Sequence, residues 1–304
     1  MKIDSNLILN AYHDGRLVAM PTETVYGLSA PIDRPDLIER IFELKKRPKN
    51  DPLIVHVDSV EMAKTVFADW SEDLEKLLGQ FWPGPLTIVA KKSERISDEI
   101  TSGESTVAVR MPNHPQALEI ISAAKVPLVA PSANPFTKLS PTKAEHVEKY
   151  FDRDDVLVID GGECKRGIES TIILLDSDKK EWKLLRTGPI KPFEISELLG
   201  DYKQIMNSQE IPLTPGSHHT HYQPAVPFYL LEQGQEVNFS GLTKELKLSN
   251  DYKQAEAQLY GSLHALAKEA DQIIFLKTDE FSNDPKWKAI RDRLSRAASK
   301  LPKD

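Results

Sequence analysis

Residues 170–186 read Ser170-Thr171-Ile172-Ile173-Leu174-Leu175-Asp176-Ser177-Asp178-Lys179-Lys180-Glu181-Trp182-Lys183-Leu184-Leu185-Arg186, two apolar runs either side of an acidic turn. A short apolar run bounded by turn residues predicts a strand. Here a strand at 170–175 leads straight into another at 182–186, with no helix between them. Parallel neighbours need a long crossover, usually helical, whereas antiparallel ones need only a turn. Strict β-α alternation therefore fails at this point, and the stretch predicts a mixed sheet.

Working outward, further strands are expected at 17–20, 53–57, 86–90, 106–110, 127–130 and 155–159. Asp4 or Ser5 can cap a first helix that Gly15 ends. Pro35 suits the first turn of a second helix, whose Leu37, Ile38, Ile41 and Leu44 share one face and which must stop near Pro48. Two short helical patterns follow within 59–78, and others lie at 115–124 and 142–151. Strands mixed irregularly with helices predict an α/β domain built on one large mixed sheet. Residues 201–225 lose this periodicity, contain Pro212, Pro215, Gly216 and Pro224, and read as a linker. Strands at 226–231 and 271–276 and helices at 252–268 and 284–299 then predict a small second α/β unit. The expected division is 1–200, 201–225 and 226–304.

The chain has 304 residues, 40% of them hydrophobic, with a formal charge of −7. That content can fill a sizeable core, and the acidic balance argues against a surface that coats nucleic acid throughout. Cys164 is the only cysteine, which excludes an internal disulfide and a cysteine-based zinc knuckle. The start, Met1-Lys2-Ile3-Asp4-Ser5, lacks the charged and apolar segments of a secretory signal, and no apolar run is long enough to span a membrane. A soluble cytoplasmic protein is expected.

The densest local signal is Lys45-Lys46-Arg47-Pro48-Lys49 at a helix end. Cations there complement the helix dipole, but they can equally form a phosphate clamp, lysine as a point charge and arginine as a forked donor. Standard phosphate loops are missing: after Gly162-x-x-x-x-Gly167, Ile168-Glu169 stands where Lys-Ser/Thr is required. Any nucleotide must then be held by side chains and irregular loops. Pro131-Ser132-Ala133-Asn134-Pro135 is one such loop, following a buried strand and stiffened by its prolines. It also reads as an ordinary polar turn. Pro21-Thr22-Glu23-Thr24-Val25-Tyr26-Gly27-Leu28, Arg110 at the close of a strand, and Glu169-Ser170-Thr171 at the opening of another have the same placement, where one pocket could gather them. His218-His219-x-His221 fits no standard zinc spacing. His56 alternates with Ile54 on a strand, and no nucleophile–base triad stands out.

These motifs together resemble the YrdC-like family. The resemblance rests on Pro21–Leu28, Lys45-x-Arg47-Pro48, Pro52–Val57, Phe81-Trp82-Pro83-Gly84-Pro85-Leu86-Thr87, Val109-Arg110-Met111-Pro112, Ala130–Asn134, Ser140-Pro141-Thr142, Ser170-Thr171 and Arg186-x-Gly188, in that order over residues 7–200. Pro215-Gly216 and His221-Tyr222-x-Pro224 resemble the linker of the family's long form, which carries an extra C-terminal Rossmann-like domain. The resemblance implies a twisted, mixed, open sheet with flanking helices. It also implies an activity that turns L-threonine, bicarbonate and ATP into threonylcarbamoyl-AMP and pyrophosphate. A partner transferase complex would move the threonylcarbamoyl group to adenosine beside the tRNA anticodon.

By the same resemblance Lys45, Arg47, Ser132 and Asn134 surround the phosphates and the reacting carbamate. Thr106, Ser140 and Arg186 contact the nucleotide, with Asp51, His221 and Tyr222 on its side of the site. Thr24, His56, Arg110, Ala130 and Ser170 hold threonine, Arg110 as the carboxylate partner. Mg2+ arrives with ATP rather than in a preformed cage. Two departures stand out: Asp51 replaces a common Asn, and the C-terminal unit looks shortened in its middle while Ala289-Ile290-x-Asp292-Arg293-Leu294-x-Arg296-Ala297-Ala298 survives. Competing readings are a double-stranded RNA-binding module using basic clusters at 45–49 and Lys165-Arg166, and a carbamoyl-transfer domain of the hydrogenase-maturation type.

Overall fold

The computed structural model describes residues 3–205, 221–235 and 237–301. Its first unit runs α1 (Ser5–His13), β1 (Leu17–Met20), β2 (Gly27–Pro31), α2 (Pro35–Lys45), β3 (Ile54–His56), α3 (Val60–Lys64) and α4 (Glu72–Phe81). It continues with β4 (Leu86–Lys91), α5 (Asp98–Thr101), β5 (Thr106–Arg110), α6 (Pro115–Ala124), β6 (Leu128–Val129), α7 (Ala144–Glu148) and β7 (Val156–Val158). It closes with β8 (Thr171–Asp176), β9 (Glu181–Arg186), α8 (Pro192–Leu199) and β10 (Lys203–Gln204). Beyond the linker lie β11 (Phe228–Leu231), β12 (Thr243–Glu245), α9 (Tyr252–Leu266), β13 (Gln272–Leu276), α10 (Asp279–Asn283) and α11 (Lys288–Ala297). The linker residues Pro212, Pro215, Gly216, His218 and His219 lie outside the described residues.

The first unit's strands form one sheet in the order β10-β9-β8-β4-β5-β3-β6-β2-β1-β7. It is mixed, as the 170–186 stretch predicts: β8 and β9 pair antiparallel with Leu175 opposite Trp182, while β8 lies parallel to β4. Strand β2 is not among the expected elements, because glycine and proline at its ends read as loop. Its pairing with β1, Val18 opposite Ser29, overrides that local chemistry. Helix α8 is a second addition; Pro192 starts it, and Glu194 caps back onto the Lys191 backbone N–H at 2.7 Å.

The period of two along the strands sorts side chains to two faces. Val55, Ile88 and Val109 join the main core under the helices, to which α2 adds Leu37, Ile38, Ile41 and Phe42. Burying each such side chain stabilises by roughly 1.5–3 kcal/mol. The alternate residues Ile54, Val89, Ala108 and Ile172 form a separate small cluster on the opposite face. His56 and Arg110 continue that second face, because β3 and β5 run parallel with these two opposite each other.

The second unit is a three-stranded parallel sheet, β11-β13-β12, packed with α9 and α11. Its apolar cluster also takes in Val25, Leu139, Ile168 and Tyr222, so the two units share a core. Among the described residues no helix is long and apolar enough to cross a membrane.

Two features of this junction carry predictions. Gly167 has φ +67°, and a Cβ there would lie 2.3 Å from the Ala257 carbonyl oxygen on α9. Gly167→Ala should therefore lower stability by roughly 2–4 kcal/mol in a denaturant titration, from strain and backbone overlap together. Gly15→Ala, at φ +80° with open space around it, should cost only about 1 kcal/mol.

The second feature is an imidazole stack. His146 on α7 and His264 on α9 lie 3.8 Å apart, centroid to centroid. His264 Nε2–H donates to the Ser140 carbonyl, and His146 Nδ1 accepts from the Thr142 N–H, so both rings sit as neutral tautomers. Burial, with neighbouring lysines, depresses their pKa values to about 3 for His146 and about 4 for His264. Both folded values lie below the unfolded one near 6.5, so the stabilisation is complete above that pH and is lost as pH falls towards the folded values. Acidification to pH 5 should cost about 1–2 kcal/mol per ring, and His264→Asn should flatten the fall in Tm between pH 7 and 5.

Candidate active site

A pocket opens on the sheet face that carries Ile54, His56 and Arg110. Its walls are built from strand ends. Strand β1 runs into the turn Thr22–Val25, where Thr22 Oγ1 donates to the Val25 carbonyl at 2.6 Å and fixes the loop. Strand β6 runs into Pro131 and Ser132, and an isolated bridge joins Ser132 to Gly27. Gly27 lets the two segments approach closely, since an added Cβ would lie 3.1 Å from Ala130 Cβ, a tight contact. Arg110, His56 and Arg186 close β5, β3 and β9, while Glu169 stands just before β8. His221 and Tyr222 complete the lining from the linker side.

Each guanidinium here is backed by an acid or by fixed acceptors. Arg110 lies 2.7 Å from the buried Glu23 carboxylate, a charge contact off the ideal hydrogen-bond line, and donates to Thr24 Oγ1 at 2.8 Å and the Gly84 carbonyl. Arg47 lies 2.9 Å from Asp51 and donates to the Asp51 and Pro52 carbonyls. Asp51 is thus turned onto Arg47 and buried with it. Arg186 donates to the Ser170 carbonyl and hydroxyl, both at 3.0 Å, and Ser170 also meets Thr87 Oγ1 at 2.7 Å.

Lys45 leaves the end of α2 and is fully buried. Its Nζ donates to the carbonyls of Ser132 at 2.6 Å and Asn134 at 2.5 Å, tying the 131–135 loop to the helix. Burial, aided by Arg47, depresses its pKa well below the lysine range. Asn134 turns its Nδ2 to the Pro135 and Lys138 carbonyls. Burial and the Arg110 charge push His56 down to about 3, so it is a neutral imidazole, as is His221, depressed by burial and the surrounding arginines and lysine.

Thr24, Arg47, His56, Arg110, Ala130, Ser132, Arg186, His221 and Tyr222 therefore share one wall. Lys45, Asp51, Asn134, Ser140 and Ser170 are buried behind it rather than on its surface. Thr106 lies elsewhere: it opens β5 on the same face as Arg110 but four residues away, and lines a second groove with Leu174 and Asp176. The basic run at 45–49 is not a surface stripe, because Lys45 and Arg47 point inward and Lys49 pairs with Glu39. The buried Cys164 thiol is pushed up by burial and holds no nucleophilic position.

Comparison with known proteins gives the family. Residues 10–188 match the Sua5/YciO/YrdC family, described as "Telomere recombination", and residues 190–299 match the family described as "Threonylcarbamoyl-AMP synthase, C-terminal domain". The chain belongs to the Sua5/YciO/YrdC family. A relative named threonylcarbamoyl-AMP synthase from Pyrococcus abyssi is 38% identical, covering 86% of this chain and 77% of its own length. One of the same name from Bacillus subtilis is 35% identical over 94% of this chain and 90% of its own. The crystal structure of P. abyssi Sua5 complexed with L-threonine superposes with a TM-score of 0.83 at 31% identity, covering 98% of this chain and 96% of that one.

The Sua5-like geometry adds residues to which the sequence alone assigns no role. Glu23 and Glu169 stand within the motifs, yet their partnership with Arg110 and with the C-terminal unit needs the fold to be seen. Glu169 accepts from Ser140 Oγ at 2.6 Å, Tyr260 Oη at 3.0 Å and Arg293 Nε at 3.2 Å. Burial alone would raise its pKa, but Arg293, Arg186 and the Ser140 bond outweigh that and hold it below the usual carboxylate value. One sequence signal for Arg293 exists. It shares a helical face with Ile290, Leu294 and Ala297, and an arginine on an apolar face asks for a buried partner.

Proposed function

We propose that this protein makes threonylcarbamoyl-AMP and pyrophosphate from L-threonine, bicarbonate and ATP. The observation that carries the reading is that Arg110, beside Thr24 and His56, lines the same pocket as Arg47 and Ser132, the last braced by Lys45. The name borne by relatives that align with most of the chain supports it, as does the L-threonine complexed with the superposed P. abyssi protein.

In this reading Arg110 takes the threonine carboxylate, with Glu23 holding the guanidinium from behind. Thr24 and neutral His56 offer uncharged polar contacts, while Ile54 and Ala130 bound the small side chain. The threonine amine, as free base, attacks bicarbonate, which loses water, or carbon dioxide, whose C=O π bond opens while the amine gives a proton to solvent; either route leaves a carbamate. The carbamate oxygen then attacks the α-phosphorus of ATP, and the bond to the pyrophosphate oxygen breaks. Neither step needs a protein nucleophile; both need alignment and neutralised charge. Arg47, Arg186 and the loop held by Lys45 supply these on the phosphate side, with Ser132, Asn134 and Ser140 shaping it. The apolar strip of Ile54, Ala108, Ile172, Leu174 and Leu185 leads along the sheet towards Thr106 and suits a nucleoside. Mg2+ would travel with the triphosphate. Asp51 is engaged by Arg47, and among the described residues no three His, Cys, Asp or Glu side chains gather as a metal set.

The product would pass to a transferase complex that modifies tRNA in the cytoplasm. Direct RNA binding at 45–49 is disfavoured, because two of its cations are buried. A carbamoyl-transfer domain is disfavoured by the C-terminal match at 190–299. We also take 1–200 as the catalytic unit, 201–225 as linker and 226–304 as the C-terminal unit, except that β10 (Lys203–Gln204) joins the first sheet, which moves the start of the linker past residue 204. The test follows pyrophosphate release from ATP with and without L-threonine and bicarbonate. Release that requires both is expected, and release indifferent to threonine sinks the reading.

A further inference from the structure

Arg293 is a fully enclosed cation of the C-terminal unit, at 0% exposure; of the groups it meets, Glu169 and Tyr222 line the pocket, while Thr187 and its own neighbour Asp292, 3.3 Å from Nη1, do not. Its Nε donates to Glu169 at 3.2 Å, and its Nη1 to the Thr187 carbonyl at 2.6 Å and hydroxyl at 3.1 Å, one residue past Arg186. Its guanidinium lies 5.6 Å from the centre of the Tyr222 ring, which in turn stacks on Tyr260 at 5.6 Å. Tyr260 completes the circle by donating to Glu169. Glu169, Arg186 and Tyr222 all line the pocket, whereas Arg293 and Tyr260 do not. Thus α9 and α11 reach under the floor of a site whose other parts come from the first unit and the linker.

We propose that Arg293 is a positioning residue for the nucleotide half of the pocket, so that the C-terminal unit is an integral part of the site. This inference rests on the function proposed above. Without the fork of Arg293, Glu169 would be free to turn onto Arg186, a pocket cation already close enough to lower its pKa, and withdraw that charge from a triphosphate. With the fork in place, Glu169 is held towards Arg293 and Ser140, and Arg186 keeps its position on Ser170. Tyr222 is held at φ +63°, a conformation that needs outside support.

The junction supplies its own control. Half-buried Lys191 and buried Glu256 form a second ion pair between the units, 2.9 Å apart and outside the pocket lining. Arg293→Lys retains the charge but loses the fork, and Glu256→Gln breaks the other pair while keeping its shape. Both should lower Tm. Only Arg293→Lys should weaken ATP, raising its KM and its equilibrium Kd by roughly tenfold to a hundredfold, the range for a misplaced charged hydrogen bond. Its effect on KM for threonine should stay within about threefold, well under one charged contact. The double variant Arg293→Met/Glu169→Gln, which leaves no carboxylate to turn onto Arg186, should recover both Tm and most of the ATP affinity. If Arg293→Lys folds and binds ATP as Glu256→Gln does, or the double variant binds ATP no better than Arg293→Lys, the inference is overturned while the synthase reading stands. If the parent protein releases pyrophosphate without threonine, the reading fails, and the Kd comparison alone still decides the role of Arg293.

Discussion

Arg110→Ala is expected to lower threonine-dependent pyrophosphate release at least about a hundredfold, by removing the forked partner of the substrate carboxylate. The loss should appear mainly in KM for threonine, with KM for ATP little changed. The same substitution leaves the Glu23 carboxylate buried at 6% exposure without its cation. Breaking a buried pair from one side costs about 3–5 kcal/mol, so Tm should fall as well. Arg110→Met/Glu23→Gln separates the two effects: it removes both charges, and should recover most of the stability and none of the threonine use. Threonine kinetics that match the parent in Arg110→Ala would remove Arg110 from the substrate site.

The second large effect is expected at Lys45. Lys45→Met keeps the length of the side chain but leaves the Ser132 and Asn134 carbonyls without their donor. Each buried carbonyl so abandoned costs about 1–3 kcal/mol, and the 131–135 loop loses its tie to α2. The phosphate side also loses one of its cations. A fall in kcat of about a hundredfold to a thousandfold is expected, in the range seen when one preorganised charge-stabilising donor is removed. Lys45→Arg should not rescue it, since a guanidinium does not fit a space closed around an ammonium. Parental kcat in Lys45→Met would leave the lysine as a helix-end cation with no share in the chemistry.

Much of the fold is legible in the sequence because its signals are local. The turn at 176–178 between two apolar runs announces a mixed sheet, and Pro35 with the spacing of Leu37, Ile38 and Ile41 announces α2. What is not legible is pairing over long distances. Nothing in Gly27–Pro31 alone says strand; its partners β1 and β6 make it one. The order β4-β5-β3-β6 is equally a property of the packed chain, not of any segment. The site divides in the same way. Residue types at strand ends mark where polar chemistry collects, and the family resemblance supplies their roles. The compensating acids Glu23, Asp51 and Glu169 are hidden, because an acid in a motif looks alike whether it faces a ligand, a neighbour or solvent. Thr106 shows the opposite limit. It shares a face with Arg110, yet four residues of strand carry it beyond the pocket into another groove.

The bond between Glu169 and Arg293 spans 124 residues of sequence. During synthesis the first unit can begin to fold once its own strands are made, since domains form in order from the N-terminus. It must then wait with Glu169 set into its floor and only Arg186 nearby to meet it, until residue 293 has been made and α11 has docked. A burial that is unfavourable until then keeps the pocket loose in the nascent chain. A fragment ending before α11 should therefore stay more susceptible to proteolysis around residues 160–190 than the full chain. The timing of translation thus sets when the pocket can first hold a nucleotide.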